Sequence, residues 1–287
     1  MYNLSDINQI QKILSKNGFS FSKALGQNFI VDPSVCPTMA EHAVENPEYG
    51  VLEIGPGIGV LTVELAKRAK KVVSIELDSR LLPILDETLS ENDNVEIING
   101  DVLKLDLNGI IREKFDGMKV VVCANLPYYI TSPIIMKLLE ERLPIESLIV
   151  MVQAEAADRL CAKVGTRESG AVTIAVNFYA HTEQLFFVPR TAFMPEPKVD
   201  SKVIKLNIRK EPFAEIKDED AFFTMIKAAF SKRRKTVMNS LMNSLVMGTA
   251  TKERLADTLD KHGIPKTSRI EQFSMDDLVT VYKDLYE

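Results

Sequence analysis

The chain has 287 residues, of which 46% are hydrophobic and 26% are charged, as in an ordinary globular protein. This length is enough for one large domain and one small domain. The formal net charge of −5 does not by itself favour a nucleic-acid binder, although a whole-chain sum can hide a local basic patch.

The N-terminal residues and the cysteines indicate the compartment. MYNLSDINQI lacks the basic stretch and apolar core of a secretory signal peptide, and no apolar run approaches the roughly 18 to 20 residues of a membrane span. Cys36, Cys123 and Cys161 are far apart and show neither CxxC nor Cys/His metal-ligand spacing. We therefore expect a cytoplasmic protein with buried free thiols, no metal and no membrane span.

From Gly50 to about Leu206, short apolar runs alternate with helical patterns, which predicts a parallel α/β sheet covered on both faces. VLTVELAKRA predicts an amphipathic helix with Leu61, Leu65 and Ala69 on one face. The late strands are close together with proline-rich turns between them, which indicates antiparallel pairing at one edge. The predicted strands are VLEIG, KVVSIEL, VEIING, KVVVCA, SLIVMVQ, AVTIAVNFYA and SKVIKLNI.

The pattern of the sequence changes after about Arg209, where strand-like runs no longer occur. KEPFAEIKDEDAFF is charged and contains a proline, so it predicts a linker that leads into a helix. The remaining patterns are helical, with Gly263 and Pro265 between them: AFFTMIKAAF, KERLADTLDKHG and SMDDLVTVYKDLY. The sequence therefore predicts an α/β domain over residues 1–209 and a small all-helical domain over residues 210–287.

A glycine-rich turn, EIGPGIG, connects the first predicted strand to the first predicted helix. Gly55, Gly57 and Gly59 permit tight turning and close approach of the backbone to a ligand. The GxGxG spacing after an acidic residue is typical of S-adenosylmethionine-dependent methyltransferases, and differs from the GxGxxG of dinucleotide binders. The GK[ST] of a phosphate-binding loop is absent. A glycine turn without a ligand role is the alternative.

Acidic residues follow the next two strands. Glu76 ends the second strand, where a carboxylate can accept hydrogen bonds from ribose hydroxyls. Asp101 follows the third strand, where it can accept from the exocyclic amine of an adenine while the Val102 N–H serves the ring. A solvated strand-end acid and a turn or N-cap residue are the respective alternatives. Three such features at the ends of successive strands favour a cofactor site.

NLPYYI ends the fourth predicted strand. Pro127 fixes the backbone, so that the carbonyl of Leu126 and the side-chain oxygen of Asn125 can accept the two hydrogens of an exocyclic amine. Such acceptors favour a pyramidal nitrogen whose lone pair faces a methyl donor, so no general base is needed. Tyr128 offers a face on which a flipped base can stack. An Asn-Pro turn beside a core tyrosine is the alternative.

These motifs resemble those of the KsgA/RsmA-type ribosomal RNA adenine dimethyltransferases, over nearly the whole chain. EIGPGIGVLT, IELD, NGDVLKLD and NLPYYITSPI occur in the order and spacing of that family. ALGQNFIVD resembles its N-terminal motif, which implies that Gln27 and Asn28 help to hold the methionine end of the cofactor. VPRTAFMPEPKVDSKVIKL resembles its FxPxPKVDS segment, which implies that Phe193 lies near the target base.

The resemblance implies a Rossmann-like methyltransferase domain followed by a small helical domain that selects the RNA. The implied reaction dimethylates two adjacent adenosines near the 3′ end of small-subunit (16S) ribosomal RNA, with S-adenosylmethionine as donor and a link to late subunit assembly. Two positions depart from the family pattern: Ala154 stands where a lysine is frequent, and Ser169 where an aromatic residue is frequent. Both departures concern RNA contacts more than the chemistry.

A basic run, Lys232, Arg233, Arg234 and Lys235, lies in FSKRRKTVMNSL, which resembles the basic motif of the family's C-terminal domain. It can neutralise several phosphates. The run is predicted on one helix together with the polar residues that follow, and acids are absent from residues 221–250. We therefore favour RNA contact over a solvated helix face.

Three other functions are considered. An Erm-type enzyme would methylate one adenosine of large-subunit RNA, but those chains more often carry isoleucine before the proline and lack FSKRRKTVMNSL. A ribosome-assembly factor that acts mainly by binding is compatible with the sequence. An NAD-dependent dehydrogenase fits poorly, because no hydride-site His/Arg pair is evident among His42, His181 and His262. Nothing in the sequence indicates an obligate dimer, so a monomer is expected.

Overall fold

The computed structural model describes residues 4–22, 26–242 and 251–286. Ala24, in the ALGQNFIVD motif, lies outside these ranges. The chain divides into two compact units, the first of residues 1–157 with 183–208 and the second of residues 158–182 with 209–287.

The strands of the described residues are β1 (Phe29–Ile30), β2 (Gly50–Ile54), β3 (Lys71–Glu76), β4 (Val95–Asn99), β5 (Val120–Asn125), β6 (Ile145–Gln153), β7 (Ala180–Val188), β8 (Phe193–Met194) and β9 (Ser201–Ile208). The helices are α1 (Ile7–Lys16), α2 (Val35–Ala43), α3 (Val60–Ala66), α4 (Leu82–Thr88), α5 (Leu107–Phe115), α6 (Thr131–Glu140), α7 (Ala154–Leu160), α8 (Ala171–Tyr179), α9 (Glu219–Ser231), α10 (Val237–Met242), α11 (Lys252–Lys261) and α12 (Met275–Tyr286).

One seven-stranded sheet dominates the described strands, in the order β4-β3-β2-β5-β6-β9-β7. The five strands from β4 to β6 run parallel to one another, as the alternation of strands and helices predicts. The chain order reverses at β2, which has β3 on one side and β5 on the other. Ligands of open parallel sheets bind beyond the carboxyl ends of the strands at such a reversal.

The central parallel strands are apolar because both faces of the sheet are covered there, whereas β4 at the edge is only partly buried. Every residue of β2 is buried, and so is β5 up to Asn125. One face packs against α2 and α3 through residues such as Met39 and Leu65. The predicted helix is confirmed as α3, with Leu61 and Leu65 buried, although Ala69 lies beyond its end.

The antiparallel edge is also confirmed. β9 pairs with β6 in antiparallel register from Ser147 opposite Asn207 to Gln153 opposite Ser201. A separate two-stranded ribbon joins β1 to β8, with Ile30 opposite Phe193.

The prediction of a strand for AVTIAVNFYA is wrong, because Ala171–Tyr179 forms helix α8. Valine, isoleucine and threonine favour strands, but a short run that is apolar all round does not distinguish a strand from a buried helix. A polar contact at its start favours the helix, since the Gly170 N–H donates to Thr173 Oγ1 at 2.9 Å. The strand follows in HTEQLFFV, within β7.

The second unit is helical in the part that the structure describes, apart from the first residues of β7, and it has an aromatic core. Phe178 of α8 packs against Phe222 and Phe223 of α9, and Phe222 also contacts Tyr282 of α12, with ring centroids 5.3 to 5.7 Å apart. This packing groups residues 158–182 with the C-terminal helices. These structural units do not test which part of the chain carries which function. The assignment of catalysis to residues 1–209 and of RNA binding to residues 210–287 stays a prediction.

Candidate functional site

The glycine turn between β2 and α3 has the backbone that its sequence predicts. Gly55, Gly57 and Gly59 have backbone φ values of +72°, +61° and +91°, a conformation that residues with a Cβ rarely adopt. A Cβ added to Gly57 would lie 3.2 Å from the ring of Phe29, whereas one added to Gly55 would meet no atom within 4 Å. Gly55 and Gly57 line a cavity at the carboxyl ends of β2, β3 and β5.

Glu53 precedes the turn, and sequence reasoning assigned it no role. It is 1% exposed, and its Oε2 accepts hydrogen bonds from Thr62 Oγ1 at 2.7 Å and from Ser74 Oγ at 2.6 Å. Among the described residues, its Oε1 has no hydrogen-bond partner. Burial away from water raises the pKa of Glu53 to about 7. This carboxyl connects β2, β3 and α3 below the turn.

Glu76 lines the cavity at the end of β3 and is buried, unlike a solvated strand-end acid. Its Oε2 accepts from the Gly57 N–H at 3.3 Å, and its Oε1 accepts from the Asp78 N–H at 2.7 Å. Burial raises the pKa of Glu76 above its usual value, and these two backbone donors oppose that rise. The carboxylate is thus fixed beside the glycine turn.

Asp101 and Val102 line the same cavity beyond β4. Asp101 Oδ1 accepts from the Leu103 N–H at 3.0 Å, so this residue also stabilises its own turn. Its side chain keeps 28% of its surface exposed, and Lys104 Nζ lies 3.4 Å from Oδ2. The turn role and a ligand role are therefore compatible.

Asn125, Leu126, Pro127 and Tyr128 line the opposite wall, where β5 ends. Asn125 Nδ2 donates to the Asn28 carbonyl at 3.4 Å, and among the described residues no group donates to its Oδ1. The Tyr128 hydroxyl and Ser201 Oγ are 2.7 Å apart, which fixes the direction of the ring. Burial raises the pKa of Tyr128, so the phenol stays protonated at neutral pH.

Gln27 and Asn28 close the cavity from the N-terminal side. Gln27 Oε1 accepts from the Ser22 N–H at 2.9 Å, and Asn28 Nδ2 donates to the Gly26 carbonyl at 3.0 Å. Both side chains are therefore anchored at the wall of the cavity.

Apolar side chains complete the wall, and sequence reasoning did not name them. They include Ile58, Leu77, Leu81 and Tyr129. Leu77 is 48% exposed although it is a large apolar residue, and it directly follows Glu76. An apolar residue next to a strand-end acid is the signal that points to it.

Phe193 does not line the cavity. It is 4% exposed, lies in β8 opposite Ile30, and packs in the core below the sheet face that carries α2 and α3. This placement does not support contact with a target base, because the side chain has almost no free surface. Its predicted role stays without structural support.

The basic run lies in the second unit, and it occupies a turn. The prediction that it shares one helix with Thr236, Asn239 and Ser240 is wrong, because α9 ends at Ser231 and α10 starts at Val237. Lys232, Arg234 and Lys235 are exposed.

Arg233 differs from its neighbours because its guanidinium is paired within the protein, although 43% of its side chain is exposed. Its Nε donates to Glu271 Oε2 at 2.9 Å, and its Nη2 donates to the Arg167 carbonyl. Arg167, Arg234 and Arg269 surround this pair in a surface depression. The predicted phosphate contact therefore fits Arg234 better than Arg233.

The two departures from the family pattern differ in what the structure shows: Ala154 makes a backbone contact that does not depend on its side chain, whereas Ser169 uses its hydroxyl. Ala154 starts α7, and its N–H donates to the Asp200 carbonyl at 2.9 Å. Ser169 is 1% exposed, and its hydroxyl donates to the Thr166 carbonyl at 2.6 Å. A buried serine has no free surface for RNA, so Ser169 acts on the loop around it.

Two features are absent from residues 4–22, 26–242 and 251–286, the part of the chain that the structure describes. No helix there is long and apolar enough to cross a membrane. No group of three or more His, Cys, Asp or Glu residues there could hold a metal ion. Cys36 and Cys123 are buried as predicted, whereas Cys161 is partly exposed.

Comparisons with known proteins agree on one family. The model of the family described as ribosomal RNA adenine dimethylase matches residues 18–287. Ribosomal RNA small subunit methyltransferase A of Anoxybacillus flavithermus is 49% identical over 96% of this chain and 94% of its own length. The protein of the same name from Bacillus mycoides is 49% identical over 98% of this chain and 97% of its own length.

Solved structures agree with this assignment. A dimethyladenosine transferase from Plasmodium falciparum superposes with a TM-score of 0.75 and 27% identity, covering 89% of this chain and 96% of that one. The 23S rRNA methyltransferase ErmE superposes with a TM-score of 0.68 and 28% identity, covering 90% of this chain and all of that one. The Rossmann-like methyltransferase fold predicted from the motifs is therefore confirmed. The chain belongs to the ribosomal RNA adenine dimethylase family.

Proposed function

We propose that this enzyme transfers methyl groups from S-adenosylmethionine to the N6 atoms of two adjacent adenosines near the 3′ end of small-subunit (16S) ribosomal RNA, two methyl groups to each. The observation that carries the proposal is the meeting of Asn125–Tyr128 with the glycine turn, Glu76 and Asp101 around one cavity. The 49% identity to proteins named for the small subunit supports the choice of substrate.

The cavity fits the proposed cofactor. Gly55 leaves room for close approach of a ligand to the backbone, because a Cβ there would meet no atom within 4 Å. Phe29 fills the space that a side chain on Gly57 would need, and Gly59 does not line the cavity. Glu76 and Asp101 offer acceptors for ribose hydroxyls and for an adenine amine, and Gln27 and Asn28 would hold the methionine end. When bound, S-adenosylmethionine supplies a methyl group on a positively charged sulfur.

The protein's part in the reaction is to orient the target amine. Asn125 Nδ2 is engaged by the Asn28 carbonyl, so Asn125 Oδ1 is left as an acceptor toward the cavity. Together with the Leu126 carbonyl, this oxygen would take both hydrogens of the adenine amine and turn its lone pair toward the methyl group. The proton becomes acidic once the methyl has transferred, so orientation and electrostatics do the main work.

Tyr128 would hold the base in place. Its ring lines the cavity, and its hydroxyl is tied to Ser201, so the ring presents a fixed face for stacking. Pro127 restrains the backbone that carries the Leu126 carbonyl.

The substrate is selected by residues of the second unit in this proposal. Lys232, Arg234 and Lys235 are exposed on a turn that lacks acidic residues nearby in sequence, and would contact phosphates of the folded RNA. The division of labour places catalysis in residues 1–209 and RNA binding in residues 210–287. The enzyme would act as a monomer on a late assembly stage of the small subunit, in the cytoplasm.

The Erm-type reaction is the second candidate, because ErmE shares the fold at 28% identity. The discriminating experiment offers labelled S-adenosylmethionine together with either unmethylated small subunits or unmethylated large subunits. Label on the small subunit alone is the expected result. Label on the large subunit alone would assign the Erm-type reaction, and label on neither, with cofactor binding intact, would favour an assembly factor that acts by binding.

A further inference from the structure

We propose that Asp78, which does not line the cavity, is a positioning residue that couples Glu76 to Gln27 and so sets the affinity for the cofactor. The inference rests on the proposed function, since it concerns S-adenosylmethionine binding at the same site. Asp78 is the last residue of the IELD motif, two residues beyond Glu76, and sequence reasoning assigned it no role.

Asp78 is buried, with only 6% of its side chain exposed. It caps the short turn Ser79–Leu81, because its Oδ1 accepts from the Arg80 N–H at 3.2 Å, and further contacts reach the cavity wall. Its N–H donates to Glu76 Oε1 at 2.7 Å. Its Oδ2 accepts from Gln27 Nε2 at 2.8 Å. One residue thus holds an acceptor on one wall of the cavity and an amide on another.

Glu76 and Gln27 each make a further hydrogen bond, so the chain of contacts continues beyond Asp78 in both directions. Glu76 Oε2 accepts from the Gly57 N–H, which belongs to the glycine turn. Gln27 Oε1 accepts from the Ser22 N–H, which fixes the chain that precedes the cavity wall. The path from Gly57 to Ser22 therefore passes through Asp78, and Gly57, Glu76 and Gln27 on it line the cavity.

Arg80 supports the Asp78 carboxylate from the solvent side. Its Nε donates to Oδ1 at 2.8 Å, and its Nη2 donates to Oδ2 at 2.6 Å. The same guanidinium donates to the Ser20 carbonyl at 3.4 Å and lies over the ring of Phe19, 5.1 Å from its centroid. Arg80 holds the pKa of Asp78 below its usual value, so the carboxylate stays ionised at neutral pH.

Loss of the Asp78 carboxylate has a defined effect on one residue of the cavity wall, Gln27. Removing the Asp78 carboxylate leaves every residue of the cavity wall in the chain, but frees the Gln27 amide. The effect on the cofactor must then travel through Gln27, and changing both residues should cost little more than changing one. A residue that only stabilises the fold would not show this dependence.

The test measures the dissociation constant of S-adenosylmethionine for four proteins: the wild type, Asp78→Ala, Gln27→Ala and the double variant. We expect about a tenfold weaker affinity for each single variant, and a double variant within about twofold of the weaker one. Asp106→Ala is the matched control, because Asp106 also accepts from a backbone N–H, that of Gly109, as the N-cap of α5, and it does not line the cavity. The control should bind as the wild type does.

Two results would overturn the proposal: wild-type affinity in Asp78→Ala, or losses that add fully in the double variant. If Asp78→Ala does not fold, Arg80→Ala should show a smaller loss of affinity, about threefold, from its exposed position. Hydrogen exchange without cofactor separates this proposal from the proposed function. Asp78→Ala should speed exchange at the Ser22 and Gln27 amides whether or not the wild type binds S-adenosylmethionine, and unchanged exchange would contradict the coupling itself.

Discussion

Replacing Glu53 with glutamine should remove a pH dependence that this carboxyl confers on folding stability. Glu53 is fully enclosed, and burial raises its pKa from 4.5 to about 7. The groups facing it are the hydroxyls of Thr62 and Ser74, which donate to it, and the carboxylate of Glu76 with the thiols of Cys36 and Cys123.

The direction of the pH dependence of folding stability follows from the raised pKa of Glu53. Between pH 4.5 and 7 the folded chain holds a proton on Glu53 that the unfolded chain has released, so folding stability falls as the pH rises through this window. At about 1.4 kcal/mol per pH unit, the full difference is about 3 kcal/mol. Glutamine does not titrate, so the stability of Glu53→Gln relative to wild type should rise by about 3 kcal/mol between pH 5 and pH 8.

The assay is urea unfolding at several pH values, followed by circular dichroism because the chain has no tryptophan. Any hydrogen-bond change caused by the substitution is the same at every pH and cancels in the comparison. Glu96→Gln is the control: its pKa is lowered mainly by Lys114, so its stabilising effect is lost only as the pH falls below 4.5. Its effect should be equal at pH 5.5 and pH 8. Parallel stability curves for wild type and Glu53→Gln would refute the reasoning.

Three further predictions concern the site and the basic run. Asn125→Ala should lower turnover about a hundredfold and change cofactor affinity little, whereas Glu76→Ala should weaken cofactor binding; equal losses in both quantities for both variants, from single-turnover and binding measurements, would contradict this division. Tyr128→Phe should keep most activity and Tyr128→Ala should lose it, because stacking needs the ring; equal activity of the two would exclude stacking. Arg234→Ala should reduce the slope of log affinity for RNA against log salt by about 0.9, and Arg233→Ala should instead lower thermal stability with the slope unchanged; the reverse pattern would contradict the assignment.

Much of the first unit follows from local sequence. The strand runs VLEIG, KVVVCA and SLIVMVQ were predictable because strands buried on both faces are largely apolar, and the turn glycines because their backbone needs positive φ. The cavity lining was predictable in part, because carboxyl ends of parallel strands meet at one edge. Helix α8 was not, since its apolar run has no clear period, and the helix is favoured by the Gly170–Thr173 contact at its start and by packing against α9.

The remaining features depend on contacts distant in sequence. Arg233 belongs to a basic run, yet Glu271, 38 residues away, engages it, and no local pattern indicates that pairing. Phe193 lies in a motif, yet its pairing with Ile30 buries it. Asp78 meets Gln27 across 51 residues, and Glu53 gains its raised pKa only when α3 and β3 enclose it. In each case the residue type determines which interactions are possible, and contacts distant in sequence determine which of them the side chain makes.

The most direct test of the central claim identifies the product. Unmethylated small subunits would be incubated with the enzyme and S-adenosylmethionine, and the 3′-terminal RNA fragment would be analysed by mass spectrometry, with the Asn125→Ala variant as control. The account predicts N6,N6-dimethyladenosine at two neighbouring positions with wild-type enzyme, and a much lower yield with the variant. A single methylated adenosine, methylation at an atom other than N6, or equal product from both proteins would contradict it.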